Sequence, residues 1–225
     1  MYKIETHLHT ARCSHCGRLS AREIVEGYKA AGYSALVVTD HYNRATFEML
    51  GVDLASREDK LYRFLEGFRQ VREEGARAGL VVLPGAEVRF DECMNDYLVY
   101  GFGEELLGDP EAVFSMGIAA FAPIARRQGA LIVQAHPYRH DCTPAIACYL
   151  DGVETVNGNP RHHNHNDRAE EYAREFGLLR LAGSDCHQPE DIGGTGILTR
   201  ELPDTPQALI DLIRSGRYTL LERGV

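Results

Sequence analysis

Residues 126–137 read RRQGALIVQAHP, and the order decides the fold: a basic helix end, a glycine, a short apolar run, then a histidine. Glycine accepts the left-handed backbone that follows a helix C-cap, so Gly129 marks where a helix stops and residues 131–134 start a strand. The same punctuation recurs in AAGYSALVV (30–38), ARAGLVVLPG (76–85), REFGLLRLAG (174–183) and RSGRYTLL (214–221). Working outward, strands are expected at residues 3–6, 35–39, 81–88, 97–102, 131–134, 152–156, 179–182, 196–199 and 218–221. Helices are expected at 20–31, with Ser20 as N-cap, and at 60–78, 112–128, 167–176 and 205–215. Strand-then-helix units of about 30 to 40 residues imply a parallel sheet, closed as a barrel or open and doubly wound. No glycine-rich phosphate loop follows any strand, which disfavours a dinucleotide-binding fold. A (β/α) barrel of seven or eight units is therefore expected, and with no linker-like stretch in the chain, residues 1–225 are read as a single domain.

A hydrophobic share of 44% over 225 residues is ordinary for a chain that buries a sizeable core. The formal charge of −9 argues against broad contact with nucleic-acid backbone, so the expected partner is a small molecule. No stretch approaches the roughly 20 apolar residues of a membrane span. The start, MYKIETHLHT, lacks the basic-then-apolar plan of a signal peptide, and a cytoplasmic location is expected. Six irregularly spaced cysteines do not read as a disulfide framework and are taken as reduced thiols.

Chemistry-bearing residues gather where the strands end. His7 and His9 follow the first, Asp40 and His41 the second, and Glu87 closes the third; His136, Asn157, and Asp185 with His187 follow later ones. In a barrel of parallel strands the C-terminal ends open onto one face, so these residues would converge there. Imidazole and carboxylate are the usual ligands of zinc, iron and manganese. A single such histidine is ordinarily a hydrogen-bonded, half-buried side chain, but a set repeating at strand ends reads as a site.

The runs HLHT (7–10), TDH (39–41), GAE (85–87), AHP (135–137) and GSDCH (183–187), in this order, resemble the polymerase and histidinol phosphatase (PHP) superfamily over residues 1 to about 194. The resemblance implies a distorted (β/α)7 barrel with two or three divalent ions, zinc, manganese or iron, at the C-terminal ends of the strands. It implies one ion among His7, His9, Glu87 and Asp185, with Glu87 bridging to a second held by His136. A third would lie among His15, His41 and His187. His15, six residues after His9, matches the trinuclear members; many others carry an acid where Ser14 stands here. The family usually has a histidine before the apolar run ending at Tyr100-Gly101, where this sequence has Asp96. Asp96 can ligate through oxygen, which would favour a harder ion such as manganese. It reaches the Glu87 end of the barrel only if residues 97–102 run back antiparallel.

The expected activity is a phosphoesterase that hydrolyses a small phosphorylated metabolite, such as histidinol phosphate or a nucleotide, with a metal-activated hydroxide. Three dications outweigh Glu87, Asp96, Asp185 and the hydroxide, so the cluster attracts phosphate inside an acidic protein. Arg139 and Arg18 are the candidate phosphate clamps and Arg161 a weaker one; the alternative for each is a solvated surface charge. Asp40 is read as fixing the orientation of a ligand imidazole, or as closing a turn. Cys13 and Cys16 lack the second pair of a structural zinc site and are expected to line the mouth or pack, and Cys186 to pack. His162, His163 and His165 are placed on an exposed loop before a helix capped by Asn164 or Asn166; one of them, or His140, could contact substrate or donate a proton. Substrate choice is assigned to loops 43–58 and 139–149. The competing readings are hydrolysis of an amide or carboxylic ester, and a non-catalytic metal-binding module.

Overall fold

Among the described residues ten strands form where β-branched, aromatic and leucine residues run together: β1 (Tyr2–Leu8), β2 (Ala35–Val38), β3 (His41–Tyr42), β4 (Val81–Arg89), β5 (Asp96–Tyr100), β6 (Leu131–Gln134), β7 (Gly152–Asn157), β8 (Leu179–Gly183), β9 (Gly196–Thr199) and β10 (Tyr218–Leu221). Between them lie α1 (Ala21–Ala30), α2 (Arg44–Leu50), α3 (Arg57–Phe64), α4 (Glu66–Ala78), α5 (Glu104–Leu107), α6 (Pro110–Arg127), α7 (Asn166–Phe176) and α8 (Pro206–Ser215). The computed structural model describes residues 1–52 and 56–222; residues 53–55, within the 43–58 loop assigned to substrate choice, and 223–225 lie outside the described residues.

Seven strands stand side by side in the order β1-β2-β4-β5-β6-β7-β8. The ring comes nearly closed where Leu8 bridges Cys186 in parallel and the His9 N–H donates to the Cys186 carbonyl at 2.9 Å. β5 runs antiparallel to both neighbours, with Arg89 opposite Asp96, so it is a reversed stave in a barrel otherwise parallel. This is the antiparallel return on which the placement of Asp96 depended. β9 and β10 form an antiparallel ribbon attached to the start of β1, opposite Tyr2 to Ile4.

Ile4, Val37, Leu83, Leu98, Leu131 and Leu181 fill the lower barrel and pack on Leu209, Ile210 and Ile213 of α8. Outside β2 and β4, Leu36, Val38 and Val82 pack on α1 and α4 through Ile24, Tyr28, Phe68 and Val71. Each such side chain contributes about 1.5–3 kcal/mol by leaving water. Among the described residues no helix is long and apolar enough to cross a membrane.

The helices begin and end for local reasons. Ser20 and Glu23 form a reciprocal capping box on α1, and Thr205 caps α8 with a proline behind it. Three expectations are corrected. The helix over 60–78 is two helices, breaking at Leu65. The helix over 112–128 bends at Gly117, φ 72°, where the Glu92 carboxylate accepts the Ile118 N–H at 2.9 Å. Neither Asn164 nor Asn166 caps α7; that position is His165, because both asparagine side chains are committed to Asn157.

Two strands are irregular where they approach the barrel mouth: β1 shifts register between Glu5 and Leu8, and β7 between Glu154 and Val156. Bulges re-aim side chains, and the backbone groups they free need partners. Glu5 Oε1 supplies one, accepting the N–H groups of Thr6 and His7 at 2.9 Å each and of Ser184 at 3.0 Å. Burial pushes the Glu5 carboxyl up to about 7, with those N–H groups opposing. A carboxyl raised on folding gives stability that is present below its unfolded value and is lost as pH rises through its folded value. In metal-free protein, Glu5→Gln should therefore gain on the wild type by on the order of a few kcal/mol between pH 5 and 8. Urea unfolding of both proteins across that range checks this; a difference that does not change with pH contradicts it.

Candidate metal centre

Each inward-facing donor sits at or just past a strand end: His7 in β1 and His9 after it, His41 in β3, Glu87 in β4, His136 after β6, and Asp185 and His187 after β8. All are buried or nearly so. His136 and Asp185 take positive φ, 27° and 51°, which costs a non-glycine residue about 1–3 kcal/mol. These turns carry the chain sharply away from the strand while leaving the side chain over the mouth.

The donors lie at the spacings of ligands around a cation. His7 Nε2 lies 3.1 Å from His9 Nε2, 3.2 Å from Glu87 Oε1 and 3.4 Å from Asp185 Oδ1. His9 Nε2 is 3.3 Å from Asp185 Oδ1 and 3.5 Å from Glu87 Oε2. Four donors about 2.1 Å from a central ion have edges of about 3.4 Å. Glu87 Oε1 is also 3.1 Å from His136 Nε2, and His41 Nε2 is 3.4 Å from His187 Nε2. The residues sort into overlapping groups able to hold an ion: His7, His9 and Asp185; His7, Glu87 and His136; His9, His41 and His187; and His41, Glu87 and Asp96.

The hydrogen bonds behind the rings show why cations fit. His7 Nδ1 donates to Glu154 Oε1 at 2.9 Å, which turns Nε2 forward to the other donors. His9 Nδ1 donates to Ser14 Oγ at 3.2 Å, because that hydroxyl spends its own proton on Asp40 Oδ1 at 2.8 Å. The two ring nitrogens so directed face each other 3.1 Å apart, so a cation, or in its absence a proton on His7, must lie between them. His41 Nδ1 approaches Glu87 Oε2 to 2.6 Å, yet both atoms are buried without a hydrogen-bond partner. A cation relieves both conflicts.

Charges divide the cluster. Burial pulls His7 down, but the carboxylates of Glu154, Asp185 and Glu87 outweigh it and hold the ring well above its ordinary value. Burial, with His187 and His41 as neighbours, holds His9 well below. Glu87 and Asp185 are both driven well below the carboxylate range, against burial, Glu87 by His41 and His7 and Asp185 by Arg139 and His7. Burial pushes the Cys16 thiol up, but His187 and His41 bring it down to about 6.

The remaining expected residues fall in several places. Asp40 does not simply close a turn: it accepts from the Thr10 N–H at 2.7 Å, Thr10 Oγ1 at 2.9 Å and Ser14 Oγ, and so stands behind His9. Asp96 is buried 3.9 Å from His136 Nε2, but Arg89 grips it with two bonds, at 2.7 and 2.5 Å. Arg139 reaches in, donating to Asp185 Oδ2 at 2.6 Å, Asn157 Oδ1 at 3.0 Å and Asn164 Oδ1 at 2.9 Å. His15 is exposed at the rim, its ring centre 6.0 Å from that of His41, and is not among the converging donors. Arg18 is exposed; its link to the centre is its backbone N–H, donating to the His187 carbonyl at 2.8 Å. Arg161 is tied to Asp191, whose carboxylate accepts the His187 N–H at 2.9 Å. His140 points into solvent beside Asp141, and His162, near Arg139, is pushed down by partial burial and that charge. Cys13 and Cys186 are buried in the core, whereas Cys16 Sγ lies 3.2 Å from His41 Nε2.

Glu154, Glu5, Ser14 and Asn157 are the functional positions that motif reading passed over or left without a role. Glu154 joins His7 to the His136 backbone N–H, at 3.1 Å, and to Asn157 Nδ2, at 2.8 Å. The signal available in the sequence was an acid followed by a threonine inside each of two strands, IETHL and GVETV.

Comparisons agree with this architecture. The family described as PHP-associated matches residues 163–218, so the PHP resemblance is shown for the stretch from the α7 approach to β10. A two-domain protein of Bacteroides vulgatus containing a predicted PHP-like metal-dependent phosphoesterase superposes with a TM-score of 0.72 at 16% identity, covering 99% of this chain and 65% of that one. The chain thus spans less than two thirds of that protein. PsfC of Pseudomonas syringae gives 0.72 at 19% identity, covering 99% of this chain and 92% of the other. An amidohydrolase of Chromobacterium violaceum, solved with sulfate and without metal, gives 0.55 at 16% identity, covering 99% and 98%. No curated protein matches the chain. The shared fold is the distorted α/β barrel of the PHP proteins.

If Asp40 works through Ser14 on His9, removing its charge loosens that ring. Asp40→Asn should weaken metal binding by about 10–100-fold with little loss of fold. Competition with a chromophoric chelator measures the change; unaltered affinity contradicts the role.

Proposed function

We propose that the chain is a metal-dependent hydrolase acting on a phosphate ester of a small molecule. The observation that carries the reading is Arg139 beside the donor cluster: it grips Asp185 through Nη2 and Asn164 through Nε, while Nη1 makes no hydrogen bond among the described residues. A guanidinium held through Nε and Nη2 with Nη1 left over is preorganised for an oxyanion. Burial lowers the Arg139 pKa, but Asp185 raises it further, so its charge persists at any working pH.

His7, His9, Glu87 and Asp185 would hold one ion, Glu87 and His136 a second, and His41 and His187 would take part in a third. When bound, divalent ions supply Lewis acidity, making water a nucleophile at neutral pH and stabilising charge on a phosphoryl group. The chain's own part is orientation. Glu154 and the Asp40–Ser14 pair hold His7 and His9 with their Nε2 atoms forward. Asn157, bonded to both Glu154 and Arg139, keeps the anion-binding arm in step with the donors. Zinc, manganese and iron all suit such nitrogen and oxygen donors.

A carbon–nitrogen bond is the second reading, since an amidohydrolase shares this fold. A panel of phosphorylated metabolites and of amides, assayed with each metal added, separates the two. Phosphate release that disappears in His9→Ala is the expected result; turnover of amides alone supports the second reading, and no turnover with any metal leaves a binding module. Arg139→Ala should lower kcat/KM for the phosphorylated substrate by about 10–100-fold, the worth of one charged hydrogen bond, and an unchanged kcat/KM contradicts the clamp.

A further inference from the structure

We propose that Cys16, not His15, completes the outer cation site with His41 and His187, giving the cluster one thiolate-bearing position. The inference rests on reading the barrel mouth as a metal centre and goes beyond it in assigning a sulfur donor.

The loop that follows β1 is pinned on both sides of Cys16. Upstream, Ser14 Oγ bonds to Asp40 and accepts the His41 N–H at 3.1 Å. Downstream, the Arg18 N–H donates to the His187 carbonyl at 2.8 Å. Gly17 permits the tight turn between them, because a Cβ there would overlap the Thr10 carbonyl. With residues 14 and 18 so fixed, the chain lays Cys16 against His41 and turns His15 outward to solvent.

The donors face one another. His187 Nδ1 donates to the Asp185 carbonyl at 2.9 Å, which turns its Nε2 toward His41 Nε2, 3.4 Å away. Cys16 Sγ sits 3.2 Å from that same His41 nitrogen. Two imidazole nitrogens 3.4 Å apart, with a thiol sulfur 3.2 Å from one of them, form a donor set suited to zinc, iron or cobalt, and less to manganese. The Glu87, Asp96 and His136 side of the cluster is richer in oxygen, so one centre offers a softer and a harder position.

Cobalt(II) titration of metal-free, reduced protein tests the assignment. The wild type should develop an intense near-ultraviolet thiolate-to-cobalt band. Cys16→Ser should lose the band and one bound cobalt per chain while keeping the others; His15→Ala and, as a control for the thiol near His136, Cys142→Ser should keep both. Zinc-edge X-ray absorption of the loaded wild type, which requires no variant to fold, should show sulfur at about 2.3 Å. Bound cobalt without the band, zinc with nitrogen and oxygen neighbours only, or loss of an ion in His15→Ala but not in Cys16→Ser would overturn the Cys16 assignment and leave the metal centre standing. A wild type that binds no cobalt at all overturns both.

Discussion

Removing a carboxylate from water costs several kcal/mol unless compensating charge surrounds it, and Glu87 has no solvent exposure at all. His7, His41 and His136 each come within 3.2 Å of it, and His9 within 3.5 Å. Asp185 and Asp96 are buried close by, so the barrel mouth concentrates both kinds of charge where neither can hydrate. Protons alone leave the geometry unsatisfied, since His41 Nδ1 and Glu87 Oε2 are buried 2.6 Å apart and neither has a hydrogen-bond partner. The positive φ angles of His136 and Asp185 add strain at the same place. Such costs collected at one end of a well-packed barrel are the mark of a binding site.

The rest of the fold is arranged to carry that cost. The apolar lower barrel and the helical layers supply stability through ordinary burial. Between them and the mouth stands a layer of buried acids, Glu5, Glu154 and Asp40. Each accepts backbone or side-chain donors that fix a neighbouring donor residue. The irregularities in β1 and β7 belong to this layer, because Glu5 and Glu154 lie where each ladder slips. Backbone irregularity, acid and imidazole are one structural unit.

Much of this was legible in the chain. Short apolar runs, five of them after a glycine-terminated helix, marked all the strands but the two-residue β3, and the strand-end histidines and acids marked most of the converging donors. What was hidden depends on three-dimensional turns. The break at Leu65 has no proline to announce it, and the nearby Gly67 lies inside α4 rather than at the break. Chain spacing put His15 six residues after His9, but which of two adjacent residues faces inward is set by the Gly17 turn and the Arg18 bond to His187. Asp96 reached the mouth because β5 runs backwards, a reversal that a strand pattern does not encode; its grip by Arg89 needed the ladder register. Glu5 and Glu154 look like polar alternations in a strand until the register slips are seen.

Anomalous diffraction from crystals of the protein soaked in zinc tests the central claim most directly, since it locates ions without reference to activity or substrate. The account predicts at least two anomalous peaks at the barrel mouth, one of them within bonding distance of His7, His9, Glu87 and Asp185. Well-ordered side chains in these positions with no anomalous peak among them would contradict it.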